Sequence, residues 1–190
     1  DGLTTTFTLR ENVTFHDGTP FNADAVLANM KAILDGPDGL GKTQLKAAAV
    51  ADVEVVDEFT VAFTHANATG GVLLPYHLAA YVQAGGIVSP TAMESEDLAT
   101  TMVGAGPYTF VRLEQDRIVY TRYDDYWDKE LLAKLPRDLE IIGFGDENAR
   151  LSALRSGQID TMPVLSPIPN LQDILEEDNL RAYVFSNKAG

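Results

Sequence analysis

The chain has 190 residues, 45% of them hydrophobic and 22% charged, which is enough for one large domain or two small ones around a real core. Its 28 acidic residues against 14 basic ones give a net charge of −14, and the first hundred residues carry 13 acids and 4 bases, so neither half offers the basic footprint of a nucleic-acid binder. There is no cysteine, which excludes disulfides, thiolate nucleophiles and cysteine-held metals, and no apolar run approaches the roughly 18 residues of a membrane helix.

In residues 5–10, Thr5, Phe7 and Leu9 alternate with Thr6, Thr8 and Arg10, the period of two that predicts a half-buried strand. Glu11-Asn12 breaks it, Val13 and Phe15 begin a second strand of a hairpin, and Asp17-Gly18 supplies a tight turn. Asn22 is a good N-cap for a helix reaching Leu34, with Ala25, Val26, Asn29 and Ile33 near one face. Gly36 is placed as its C′ residue and Pro37 as its stop. A short alanine-rich helix is expected over 42–50, then a hairpin over 53–63 turning at Asp57-Glu58. Thr69-Gly-Gly71 reads as a loop and 72–82 as a mostly apolar helix despite Pro75. Ser89-Pro90 leads into another cap, and 94–101 is polar.

Gly104-Ala-Gly-Pro-Tyr108 is the strongest break in the chain and the expected domain boundary. Beyond it a hairpin is expected from 108–113 and 117–122, then an aromatic loop at Asp124-Asp-Tyr-Trp127 and a strand at 139–142. A helix over 148–156 with Leu151 and Leu154 inward stops at Gly157. Further strands are expected at 159–162 and 181–185, with a Pro-rich loop over 163–170 and a helix over 171–175 between them. The chain opens just before a strand and stops in Asn-Lys-Ala-Gly, so both ends read as cut.

One segment mimics an enzyme. Gly36-Pro-Asp-Gly-Leu-Gly41-Lys42-Thr43 fits G-x-x-x-x-G-K-[ST], in which backbone N–H groups and a lysine cradle phosphates. That motif needs a strand before it and a helix after it. Here a helix precedes it, Pro37 removes a donor, and Asp38 puts negative charge where phosphate would lie. A flexible glycine-rich connector is the better reading. His16, His65 and His77 have no zinc-like spacing. His16 is expected to make a structural hydrogen bond, and His65 and His77 to be surface or partly buried. The acids around Trp127 raise a carbohydrate site, but a solvated acidic turn with a packed tryptophan fits better. Neither a G-x-S-x-G elbow nor an EF-hand pattern is present.

The literal order of Leu9-Arg10 followed by Phe15-His-Asp-Gly-Thr-Pro-Phe21 and a capped helix resembles the family 5 extracellular solute-binding proteins, the peptide-binding components of ABC importers. Gly104-Ala-Gly-Pro-Tyr-Thr-Phe110 is similar to that family's Gly-Thr-Gly-Pro-Tyr-x-Phe block, with Ala105 in place of threonine. Asp124–Trp127, the 53–63 hairpin and Arg150-Leu-Ser-Ala-Leu-Arg-Ser-Gly-Gln-Ile-Asp160 match three more blocks in the expected order, Asp124-Asp125 standing for Asn-Pro. The resemblance implies an α/β (mixed α+β) fold forming most of the first lobe of a periplasmic-binding-protein clamshell. Residues 1–103 would be its accessory subdomain and 104–190 part of the ligand-holding lobe, ending near the crossover to a second lobe. It further implies an extracytoplasmic, monomeric, non-enzymatic protein without cofactor, in the periplasm or lipid-anchored outside the cell membrane. Such a protein hands a peptide or similar solute (or a nickel complex, haem, oligosaccharide or opine) to an ABC permease. Cleft residues on this pattern are Gly39 and Leu40 in one loop and Met162, Pro163 and Val164 after a strand end.

Overall fold

A computed structural model describes residues 2–95, 102–162, 177, 180 and 181. Strand β1 (Thr4–Thr8) is followed by helix α1 (Ala23–Asp35), helix α2 (Leu40–Ala47), and strands β2 (Val50–Asp57) and β3 (Thr60–His65). The three strands form one antiparallel sheet in the order β1-β3-β2. The expected hairpin partner of β1 is therefore corrected. Val13 and Phe15 make no strand, Thr14 and Pro20 form an isolated bridge, and β1 lies against β3 with Thr5 opposite Phe63 and Phe7 opposite Val61. The reason is burial. Pairing with β3 sets the ring of Phe7 edge-on to that of Phe63, 5.6 Å between centroids, over a shared core. The β2–β3 hairpin turns where expected, and the Asp57 carboxylate accepts from the Phe59 N–H at 2.9 Å.

Helix α1 covers the inner face of this sheet. Asn22 caps it, its Oδ1 accepting from Ala25 N at 3.0 Å, and Ala23, Val26 and Met30 pack with Val50, Val53, Val61 and Phe63. Gly36 ends the helix as its C-cap rather than C′ residue, in an extended conformation (φ −69°, ψ −178°), so its N–H still reaches Ala32 O while the chain leaves directly into Pro37. Helix α3 (Ala68–Ala80) begins four residues earlier than predicted and absorbs Thr69-Gly70-Gly71 into its first turns behind an Asn67 cap. A Cβ on Gly70 would lie 2.4 Å from Ala48 O and 2.7 Å from His65 Nδ1, so glycine here is a packing requirement rather than a loop signal. Burial of Leu74 and His77 keeps the helix intact through Pro75. Two short helices, α4 (Val82–Gly85) and α5 (Pro90–Met93), complete this layer.

Strands β4 (Tyr108–Leu113) and β5 (Arg117–Arg122) form the predicted antiparallel hairpin. After helix α6 (Lys129–Leu132), strand β6 (Asp138–Ile142) completes a second three-stranded sheet in the order β4-β5-β6. The chain divides into two compact units, 1–141 and 142–190. In the second, helix α7 (Glu147–Arg155) is capped by Asp146 Oδ1 on Ala149 N. Its end is a Schellman motif with Gly157 at φ +74°: Gln158 N bonds Ala153 O, and Gly157 N bonds Leu154 O. Its buried residue is Ala153, with Leu151 and Leu154 half-buried beside it. Residues 159–162 are not a strand. The loop, helix and strand expected beyond 162 fall outside the described residues.

Phe63 is 1% exposed at the centre of the first core. Phe63→Ala is expected to cost about 3–5 kcal/mol in urea unfolding through lost burial and a residual cavity.

Candidate functional site

The segment Phe15-His16-Asp17-Gly18-Thr19 folds back on itself. Phe15 N bonds Thr19 O at 2.8 Å, Gly18 N bonds Phe15 O at 2.9 Å, and Gly18 takes φ +84°, which glycine adopts without strain. Phe15 is fully buried, and its ring packs 5.4 Å from that of Phe21. With the turn anchored from below, its polar side chains face two distant segments.

His16 meets the break at residues 104–108. Its N–H donates to Gly104 O at 2.9 Å, and Nε2 lies 2.9 Å from Gly106 O. A carbonyl can only accept, so Nε2 is the donor of this bond. Its Nδ1 is buried with no hydrogen-bond partner among the described residues. Tyr123 closes the joint. Its ring stands edge-on to the imidazole with 4.9 Å between centroids, its hydroxyl lies 3.0 Å from Thr14 Oγ1, and its N–H bonds Pro107 O at 2.8 Å.

Asp17 meets the strand-like segment before α5. Its carboxylate accepts from Ser89 Oγ at 2.5 Å, Thr19 Oγ1 at 2.6 Å and Thr19 N at 3.0 Å. Ser89 is fully buried, and its own N–H bonds Val103 O at 2.9 Å. Buried Asn29 in α1 fixes the neighbouring residue from both sides. Its Nδ2 donates to Val88 O at 2.8 Å, and its Oδ1 accepts from Val88 N at 2.9 Å. Burial alone would raise the Asp17 carboxyl, but the donors on Ser89 and Thr19 outweigh it and hold Asp17 below its ordinary value of 3.8.

Between these segments lies an open recess of about 360 Å³, lined by His16, Val88, Met102, Val103, Tyr108 and Tyr120 among others. Its walls are mainly apolar, and its rings are held: Tyr108 Oη donates to Pro136 O at 2.8 Å, and the rings of Phe110 and Tyr120 meet edge-on at 6.1 Å. Among the described residues no three His, Asp or Glu side chains gather to hold a metal.

Gly39 and Leu40 come together at the start of α2, Gly39 as its N-cap residue with extended backbone and Leu40 65% exposed. Met162 is half-buried in the other unit, and Pro163 and Val164 lie outside the described residues. The phosphate-loop mimic folds against nucleotide binding. Lys42 Nζ donates to Gly36 O at 2.7 Å and sits 4.0 Å from Asp38, while Thr43 Oγ1 donates to Gly39 O at 2.8 Å. The segment follows α1, and both groups that would serve phosphate and metal are spent on their own loop. At Trp127 the Arg10 guanidinium covers the ring, 3.8 Å from its centroid, and Asp128 caps α6, so the exposed acids there belong to a turn. Sequence reasoning placed His16 in a structural bond but missed the rest of the joint. Asn29 was legible as a polar residue on the apolar face of α1, whereas Ser89 and Tyr123 carried no signal. His65 and His77 are more buried than expected. His65 Nδ1 donates to Ala48 O at 3.0 Å, its Nε2 lies 2.8 Å from Thr5 Oγ1, and His77 Nδ1 donates to Gln44 Oε1 at 2.7 Å.

Comparison with known proteins finds related sequences and related folds. The family described as "Bacterial extracellular solute-binding proteins, family 5 Middle" matches residues 1–189. The glutathione-binding protein GsiB of Shigella flexneri is 32% identical over 190 aligned positions, covering 94% of this chain and 34% of its own. Among solved structures, AgaA from A. tumefaciens R10 in complex with agropinic acid is 28% identical with a TM-score of 0.66, covering 83% of this chain and 31% of its own. DppA from Helicobacter pylori in complex with the peptide STSA, 23% identical, shares the fold at a TM-score of 0.63, over 84% of this chain and 33% of its own. The chain thus spans about a third of the length of these relatives.

Two outcomes test this geometry. A lowered folded-state pKa contributes stability above the unfolded value and loses it as pH falls through the folded one. Asp17→Asn is therefore expected to cost about 1 kcal/mol at pH 7, and the gap to the native protein should start closing below about pH 4 in urea melts repeated across pH. For Lys42→Ala, calorimetry with Mg-ATP is expected to show no binding before or after the change. Nucleotide binding that the substitution removes would overturn the connector reading.

Proposed function

This chain belongs to the bacterial extracellular solute-binding proteins, family 5, and on that premise we propose that it is part of an extracytoplasmic substrate-binding component of an ABC importer, capturing a peptide or similar small solute for a membrane permease. The family match across residues 1–189 carries the reading. A solute-binding protein needs shape and rigid positioning rather than a nucleophile or a metal, and the joint at His16 and Asp17 is of that kind. It bonds the segment before α1 to the segments at 88–89 and 103–107. Residues 1–103 act as the accessory subdomain, and residues 104–190 contribute to the ligand-holding lobe. The residues we propose to meet the solute are Gly39, Leu40, Met162, Pro163 and Val164. The solute is peptide-like, in keeping with the glutathione and peptide named for GsiB and DppA, and opines such as the agropinic acid bound to AgaA are the second class to try.

The reading is tested by thermal shift on the full-length natural polypeptide, with glutathione, di- and tripeptides, opines, nickel–histidine, haem, oligosaccharides and Mg-ATP. A solute at one hundred times its dissociation constant adds about 2.7 kcal/mol of stability. A shift with one solute class and none with Mg-ATP is expected; a shift with Mg-ATP alone overturns the reading.

A further inference from the structure

An aspartate followed by glycine is open to a spontaneous reaction of the main chain. The glycine nitrogen attacks the aspartyl Cγ, an N–Cγ bond forms, and the carboxyl hydroxyl leaves with the amide proton as water. Water then reopens the resulting succinimide ring. Breaking the new N–Cγ bond restores aspartate; breaking the original bond leaves the chain running through Cγ, as isoaspartate. The reaction needs no oxidant and no cofactor. Glycine favours it because no Cβ shields its nitrogen and its backbone turns freely. The described residues contain Asp17-Gly18, Asp35-Gly36 and Asp38-Gly39, and Asp1 of a fourth such pair lies outside them.

Two of these pairs are locked by the fold. The Gly18 N–H donates to Phe15 O at 2.9 Å, and the Asp17 carboxylate accepts from Ser89 Oγ, Thr19 Oγ1 and Thr19 N. Neither the attacking nitrogen nor its target is free to turn. Asp35 is the last residue of α1, and the Gly36 N–H donates to Ala32 O at 3.1 Å, so attack there requires the end of the helix to open.

The third pair has no such restraint. Among the described residues nothing accepts a hydrogen bond from Gly39 N. Asp38, Gly39 and Leu40 are all exposed, and no atom lies within 4 Å of where a Cβ on Gly39 would stand. The Asp38 side chain is 86% exposed, and its carboxylate meets Lys46 Nζ at 3.4 Å and Lys42 Nζ at 4.0 Å, contacts that solvent screens.

We propose that Asp38-Gly39 is a site of spontaneous isoaspartate formation in the folded protein, and that the fold shields Asp17 and Asp35 from the same reaction. The product adds a methylene to the main chain immediately before α2. The carbonyl that follows it, on Gly39, accepts from Thr43 N at 2.9 Å and Thr43 Oγ1 at 2.8 Å to form the first turn of that helix. On the reading that Gly39 and Leu40 meet the solute, the change falls within the binding loop. The bond formed at residue 38 is read out directly, whether or not that reading holds.

The full-length polypeptide is incubated at neutral pH in heavy-oxygen water, digested, and mapped by electron-transfer fragmentation, which separates isoaspartate from aspartate. Isoaspartate and solvent oxygen are expected to accumulate at Asp38 at least about tenfold faster than at Asp17 or Asp35. In urea the three rates should converge to within about threefold, because the unfolded chain protects none of them. Gly39→Ala suits the extended backbone and open surroundings of that residue, and should slow the reaction at Asp38 by about tenfold. Equal rates at the three sites in the folded protein overturn the proposal. So does a preference for Asp38 that persists in urea, since the local sequence rather than the fold would then set it.

Discussion

The imidazole of His16 bonds a residue ninety positions away, Gly106, while its backbone N–H bonds Gly104. The joint ties the turn between β1 and α1 to the segment that leads into β4. Such a long closure is costly in chain entropy unless several contacts share it. Here they do: Tyr123 packs against the ring and reaches Thr14, and Asp17 ties the same turn to Ser89. The imidazole Nδ1 is a buried side-chain atom with no hydrogen-bond partner among the described residues. Its burial costs free energy that the surrounding bonds offset.

The joint depends in turn on α1. Asn29 is buried where a helix of this kind would ordinarily place leucine, and it satisfies both backbone groups of Val88. That fixes the residue preceding Ser89, and so the donor that Asp17 receives. One amide in the core of the first layer thereby sets the position of a carboxylate on the far side of the turn. The same economy explains the mimic at residues 36–43. Its lysine ties α2 back to the Gly36 carbonyl, its threonine bonds the Gly39 carbonyl, and Gly41 lets that helix approach the backbone of Gln83, where a Cβ would lie 2.2 Å from the carbonyl oxygen.

Strands and helices whose partners lie close in sequence were legible. The β2–β3 and β4–β5 hairpins, the Asn22 cap and the Gly157 stop each follow from residues within a turn of one another. Where a distant partner decided, the reading failed. Val13 and Phe15 look like a strand by alternation, yet the bond network of the turn claims their backbone groups. Gly70 looks like part of a loop, yet the approach of α3 to Ala48 and His65 leaves no room for a Cβ there.

Taken alone, the sequence determined the family, through literal blocks in a fixed order, and the local elements, through periodicity and caps. It also excluded thiol chemistry and a basic nucleic-acid surface by composition. Tertiary structure decided which strand β1 joins, that Ser89 and Tyr123 complete the joint begun by His16, and that Lys42 braces its own loop. The physical reason is range. Backbone propensity and capping act over a few residues and leave a mark on their spacing. A hydrogen bond between residues 16 and 106, or a glycine required by a carbonyl across the core, depends on a distance that exists only once the chain has folded.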